Sequence, residues 1–131
     1  VLAVDVGSVR VGVAASDPHR ILASPVETVA APGQARVAEL VTERAAVLVL
    51  VGLPTSLSGR AESASAAMAR DWVALLEPLV AVPVELVDER LTTVTAISRL
   101  RDAGRSAKQS RAVVDQAAAV ALLQGYLDVR R

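Results

Sequence analysis

Cysteine and phenylalanine are absent from this 131-residue chain, and histidine, tryptophan and tyrosine occur once each. Without cysteine there is no disulfide framework, no thiolate metal site and no cysteine nucleophile. The single histidine, His19, falls in the turn Asp17-Pro18-His19-Arg20 and is expected at the surface, so no Ser-His-Asp arrangement is available. Aromatics at 2% leave almost no stacking platforms for single strands, since Trp72 is expected in the core. No apolar run approaches the ~20 residues that span a bilayer. No signal-peptide pattern opens the chain either, and a cytoplasmic location is expected. Val1 lies inside a strand pattern, which predicts a short native segment ahead of it.

What is present is an apolar fraction of 53% built from Val, Leu, Ile and Ala. One domain over 1–131 is expected, with a central sheet flanked by Ala-rich helices. Formal charge is zero, but it is unevenly spread. Residues 1–89 hold 6 Lys+Arg against 11 Asp+Glu, and residues 90–131 hold 8 against 3. The basic members gather at Arg90, Arg99, Arg101, Arg105, Lys108 and Arg111. That asymmetry points to a polyanion, with a solvated helix face as the plainer explanation.

Leu2–Val6 and Val11–Ser16 read as strands joined by the short Gly7–Arg10 connection of an antiparallel hairpin. Ile21–Val29 reads as a third strand, with Pro25 marking an edge or a break. Between Gly33 and Ala46 the period becomes helical, with Val37, Leu40, Val41 and Arg44 in phase. Val47–Val51 is a strand buried on both faces. A long helix follows from Ala61, with Ala64, Met68, Trp72, Leu75, Leu76 and Leu79 expected on its core stripe. Val84–Val87 is a fifth strand. A helix capped by Thr92 or Thr93 is expected to run to Gly104, and a last helix starts after Ser110, with Asp115 in its second turn. The order β-β-β-α-β-α-β-α-α predicts an α/β fold. Its mixed five-stranded sheet combines an antiparallel three-stranded meander with parallel strands and carries helices on both faces.

Three acidic sites are placed where such a sheet can gather them: Asp5 in the first strand, Asp88-Glu89 after the fifth, and Asp115 on the last helix. Ligand sites in open α/β sheets lie at the carboxyl ends of the strands. Asp5 on its own has a bland explanation, a strand-end residue capping the turn at Gly7-Ser8. Clustered carboxylates, however, repel unless they share protons or surround a cation. Oxygen ligands without His or Cys suit Mg²⁺ or Mn²⁺. Two such ions clamp the attacking and leaving oxygens of a phosphodiester.

The segments Asp5-Val-Gly7-Ser-Val-Arg10-Val-Gly12-Val-Ala14, Gly52-Leu53-Pro54, Asp88-Glu89-Arg90-Leu91-Thr92-Thr93 and Asp115-Gln116-Ala117-Ala118-Ala119, in that order, resemble the YqgF/RuvX family. The resemblance implies a ribonuclease H-like fold and a nuclease that matures the 5′ end of pre-16S rRNA, with some members treated as Holliday junction resolvases. It implies Asp5, Glu89 and Asp115 as catalytic metal ligands, with Asp88 a fourth. Gly7 and Gly12 are implied for backbone approach to substrate, and Arg10 and Arg90 for phosphate contact. One position departs: RuvC-type resolvases carry a second acid three residues along the last helix, where this chain has Ala118. A metal-dependent RNA nuclease therefore fits more readily than a junction cutter, which would also call for a twofold dimer.

Two other classes compete. Asp-x-Gly between strands also occurs in actin-like ATPases and sugar kinases, which close two such domains over a nucleotide, where one is expected here. A non-catalytic nucleic-acid-binding module needs the basic stretch Arg99–Arg111 but not three carboxylates. The nucleic-acid partner is expected to be structured RNA or, on the junction reading, branched DNA.

Overall fold

The computed structural model describes residues 1–54, 64–88 and 108–129, with the side chains of the last helix described from residue 116 onward. The expected helix from Thr92 or Thr93 to Gly104 lies outside the described residues.

Strand β1 (Leu2–Val6) is an apolar run buried on both faces, as befits the middle of the sheet. Antiparallel β2 (Arg10–Ser16) returns beside it, and the Gly7 N–H donates to the Arg10 carbonyl at 3.0 Å to close the hairpin. A Cβ on Gly7 would stand 2.5 Å from that carbonyl oxygen, so this corner admits glycine for a backbone reason. β3 (Ala23–Ala30) pairs with β2 as the outer strand of the meander. Its ladder slips between Val13 and Ala14, where Pro25 pairs, the break that proline forces on an edge.

Two strands, β3 and the next in sequence, start two residues later than expected, each for a local reason. Ile21 and Leu22 are exposed and precede β3, because Asp17 Oδ1 accepts both of their N–H groups at 2.7 and 2.8 Å and winds them into the turn. These bonds, the Leu22 and Ile21 amides foremost, hold the Asp17 carboxyl below its usual range. α1 (Gln34–Glu43) ends in a Schellman motif: the Ala46 N–H reaches the Val41 carbonyl at 2.9 Å and the Ala45 N–H that of Thr42 at 3.2 Å. Ala45 takes the left-handed conformation, φ 50°. The turn consumes the chain through Ala46 and leaves Val47 exposed, so β4 spans Val49–Leu53, two residues later than expected.

α2 (Ala64–Leu76) gives way at Pro78 to a 3-10 turn, Glu77–Leu79. The buried face of α2 is Ala66, Ala69, Trp72, Val73 and Leu76, while Leu75 and Leu79 are exposed and Met68 is half-buried. The expected stripe was weighted towards large residues. The helix instead packs Ala66 and Ala69 inward and leaves the expected Ala64 exposed, anchored by Trp72, whose Nε1–H donates to the Pro32 carbonyl. β5 (Val84–Asp88) is the other edge strand. α3 (Lys108–Val129) starts before Ser110, which therefore lies inside the helix rather than at its cap.

The sheet order is β3-β2-β1-β4-β5, with β1, β4 and β5 mutually parallel. The meander, the parallel strands and the helices on both faces match expectation. Strand alternation sorts side chains by size. One face carries Leu2, Val4, Val11, Val13, Val49 and Val51 against α1 and α2. The other carries Ala3 and Ala14 with Leu50, against Ala118, Ala119, Leu122, Leu123 and Leu127 of α3. Small residues on that floor let α3 lie close to the backbone of β1 and β2. Across the first face, Arg36 of α1 binds Glu27 of β3 in a bidentate pair at 2.9 Å on both arms, and also reaches Glu39 and Glu43. Arg36 holds the Glu27 carboxyl below its usual range. Among the described residues no helix is long and apolar enough to cross a membrane.

Candidate active site

Asp5 is the next-to-last residue of β1 and is 6% exposed. Alternation from Leu2 and Val4 puts it on the α3 face, in phase with Ala3. Its partner across the β1–β2 ladder is Gly12, and the partner of Gly12 in β3 is Thr28. On the other side, Val4 pairs with Val51, so the register extended by one residue sets Gly52 beside Asp5. Gly52 in turn pairs with Val87 of β5. One row across the sheet thus reads Thr28, Gly12, Asp5, Gly52, Val87. Both strands adjacent to Asp5, ~4.8 Å away, present no side chain at its level. The carboxylate has a bare patch on either side, at the carboxyl ends of β1, β4 and β5.

α3 is laid over this row by polar contacts at two points. Gln124 accepts the Ala23 N–H at 2.9 Å and donates to the Ile21 carbonyl at 3.0 Å, at the far rim. Gln116 Nε2 donates to Thr28 Oγ1 at 3.0 Å, at the rim of Asp5. The helix therefore runs from the Asp5 rim to the opposite one. Position 115 precedes the fully buried Ala118 and Ala119 by three and four residues and lies on the same stripe. Residues 108–115 carry the backbone ~12 Å further out past the row, which brings positions 108 and 111 to the same rim.

The remaining candidates divide. Asp88 pairs with Leu53 and alternates in phase with Leu86 and Val84, on the α1–α2 face and away from Asp5. Arg10 opens β2 next to the hairpin and is half-buried. Gly7 serves the hairpin corner, as described above. His19 is exposed in its turn. Glu89, Arg90, Arg99, Arg101 and Arg105 lie outside the described residues, as do the side chains of Lys108, Arg111 and Asp115. Among the described residues no three acidic or histidine side chains gather. Three residues were not singled out as site residues from the sequence. Gly52 was visible in the Gly-Leu-Pro motif but unplaced, and Thr28 and Gln116 carry no local signal of their partnership.

Asp5 is thus a buried carboxylate, a hard oxygen ligand of the kind that suits Mg²⁺ or Mn²⁺.

Sheet order, strand directions and helix placement define a ribonuclease H-like fold of the RuvC type. Thermus thermophilus RuvC bound to a Holliday junction superposes with a TM-score of 0.60 at 16% identity, over 98% of this chain and 94% of that one. A second T. thermophilus RuvC structure gives 0.54 at 16% identity, over 99% and 96%. At such identity the likeness is one of fold. The family described as "RuvX: Holliday junction resolvase" matches residues 1–129, and the chain belongs to it. Relatives named "Putative pre-16S rRNA nuclease" include one from Leifsonia xyli subsp. xyli, 52% identical over 99% of this chain and 86% of its own length. One from Mycolicibacterium paratuberculosis is 55% identical over 99% and 80%, and one from Mycobacterium leprae 54% over 97% and 71%.

Proposed function

We propose that this protein is a metal-dependent nuclease that cuts structured RNA in the 5′-end processing of pre-16S rRNA, which places it in the cytoplasm. The observation that carries the reading is Asp5, buried at the carboxyl end of β1 between two glycine positions and beneath the α3 segment that bears Asp115. Asp5, Glu89 and Asp115 are the proposed ligands of Mg²⁺ or Mn²⁺. Asp88 is left out of the set because alternation turns it to the other face of the sheet.

When bound, a divalent ion acidifies water and offsets charge on the phosphodiester oxygens. The chain's own contribution is to orient the carboxylates and to keep side chains off the floor where the phosphate approaches. Basic residues bind the flanking backbone: Lys108 and Arg111 on the outer turns of α3, with Arg10, Arg90, Arg99, Arg101 and Arg105. Gly12 fits the proposed close approach, whereas Gly7 has its hairpin role.

The second reading is a junction resolvase acting as a homodimer, favoured by the family's description and the RuvC fold. Against it, Ala118 is fully buried among Ala3, Ala14 and Leu122, so that position has a packing role where resolvases carry an acid.

The test offers structured precursor rRNA, single-stranded RNA and a four-way DNA junction side by side, with Mn²⁺, Mg²⁺ or chelator. Metal-dependent cutting of the structured rRNA is expected, abolished in Asp5→Asn with binding retained or tightened. Preferential cutting of the junction moves the assignment to the second reading. No cutting of any substrate, or an unaffected Asp5→Asn, overturns the nuclease.

A further inference from the structure

Leu122, Leu123 and Leu127 bury fully or nearly so against the sheet and hold the body of α3. Among the described residues, the buried apolar side chains of α3 nearest the site are the small ones of Ala118 and Ala119. Position 115 lies seven residues beyond Leu122, ~10 Å along the helix. Apolar contact with a floor of small residues sets the height of a helix well but its axial position poorly, because it is non-directional. A hydrogen bond is directional. At this end of α3, Gln116 Nε2 donates to Thr28 Oγ1 at 3.0 Å. It acts one residue from Asp115 and grips the row that contains Asp5, across the side-chain-free position of Gly12.

We infer that Gln116 and Thr28 form a positioning pair, which sets the α3 segment bearing Asp115 against Asp5 so that both carboxylates serve one metal site. The inference rests on the nuclease reading above. A slip of one residue along the axis moves the segment ~1.5 Å, and a misplacement of that order costs ~10²-fold in rate. Neither residue touches the reacting atoms in this account.

The experiment compares the parent with Thr28→Val, Thr28→Ser, Gln116→Leu, the Val/Leu double variant and Asp5→Asn. Readouts are kcat and KM on structured precursor rRNA, and melting temperature with and without Mn²⁺. Thr28→Val and Gln116→Leu are expected to lower kcat tenfold or more with KM within about twofold, and to shrink the Mn²⁺-induced rise in melting temperature. Thr28→Ser, which keeps the hydroxyl, restores both. The double variant is expected to be no worse than either single, since one bond is lost in each. Unchanged kcat in both singles, failure of serine to rescue, or a melting loss with an intact Mn²⁺ response overturns the pair. If the parent cuts and responds to Mn²⁺ and Asp5→Asn does neither, such a result refutes the pair alone. A parent that neither cuts nor responds refutes the nuclease reading, and the pair with it.

Discussion

Asp5 and Gly12 are direct partners on the β1–β2 ladder, and the glycine leaves the α3 side of that pair without a second side chain. A residue with a Cβ at position 12 would project between Asp5 and Thr28, under α3. Gly12→Val is therefore expected to destabilise the fold by about 1–3 kcal/mol, the usual cost of overpacking. It should also lower cleavage far more than that loss accounts for. Chemical denaturation at saturating Mn²⁺, beside single-turnover cleavage at a temperature where both proteins are folded, separates the two effects. Equal cleavage by the variant would mean that the bare patch has no part in the site.

Ala45 adopts φ 50° at the end of α1, where a side chain is strained and a glycine is at ease. Its position is exposed, so nothing packs against the methyl group that a glycine would forfeit. Ala45→Gly is expected to stabilise the protein by about 0.5–1 kcal/mol, the relief being partly offset by the looser unfolded chain. A urea midpoint that rises at unchanged slope checks this; a fall would show that the Schellman turn tolerates alanine without strain.

Glu27, held down by its bond to Arg36, and Asp17, held down by the Leu22 and Ile21 amides, have folded-state pKa values below their unfolded ones. Such groups contribute stability that is complete above the unfolded carboxylate pKa of about 4 and is lost as pH falls through the depressed folded value. Melting temperature from these two groups should be flat between pH 5 and pH 7 (about one to three units above that pKa) and should drop below about pH 4. Glu27→Gln is expected to melt lower at neutral pH and to show a shallower acid limb. An acid limb as steep as the parent's would remove Glu27 from the account.

Lys108 and Arg111 belong to the outer turns of α3, on the rim of Asp5. In the proposed interface, each phosphate that Lys108 or Arg111 neutralises would release counterions, giving a slope of log affinity against log salt of about −0.9 per contact on a duplex. Replacing both with glutamine should reduce that slope by about two and weaken binding evenly across sequences. Fluorescence anisotropy from 50 to 200 mM salt, roughly the range over which such slopes are read, measures it. A slope unchanged by the double replacement would put the nucleic acid elsewhere.

Local periodicity was enough to recover β1, β2 and the buried Val37, Leu40 and Val41 of α1, because each buries a regular set of large side chains. It misled on α2, where exposed Ala64, Leu75 and Leu79 were placed on the stripe that Ala66 and Ala69 in fact fill. It also missed strand starts displaced by hydrogen bonds, as the Asp17 turn displaces β3. Asp5 stood out as a carboxylate in an apolar run. Its glycine flanks did not, since Gly12 and Gly52 become neighbours of Asp5 only through strand register. The Gln116–Thr28 bond joins residues 88 positions apart, and no spacing rule reaches that far.

α3 docks onto strands laid down far earlier in the chain, with Gln124 bonded to Ala23 across 101 positions. During synthesis, at ~5–20 residues per second, the alanine side of the first hairpin emerges many seconds before its helical lid exists. A nascent chain therefore carries Asp5 without Asp115 on any ribosome that has not yet translated α3.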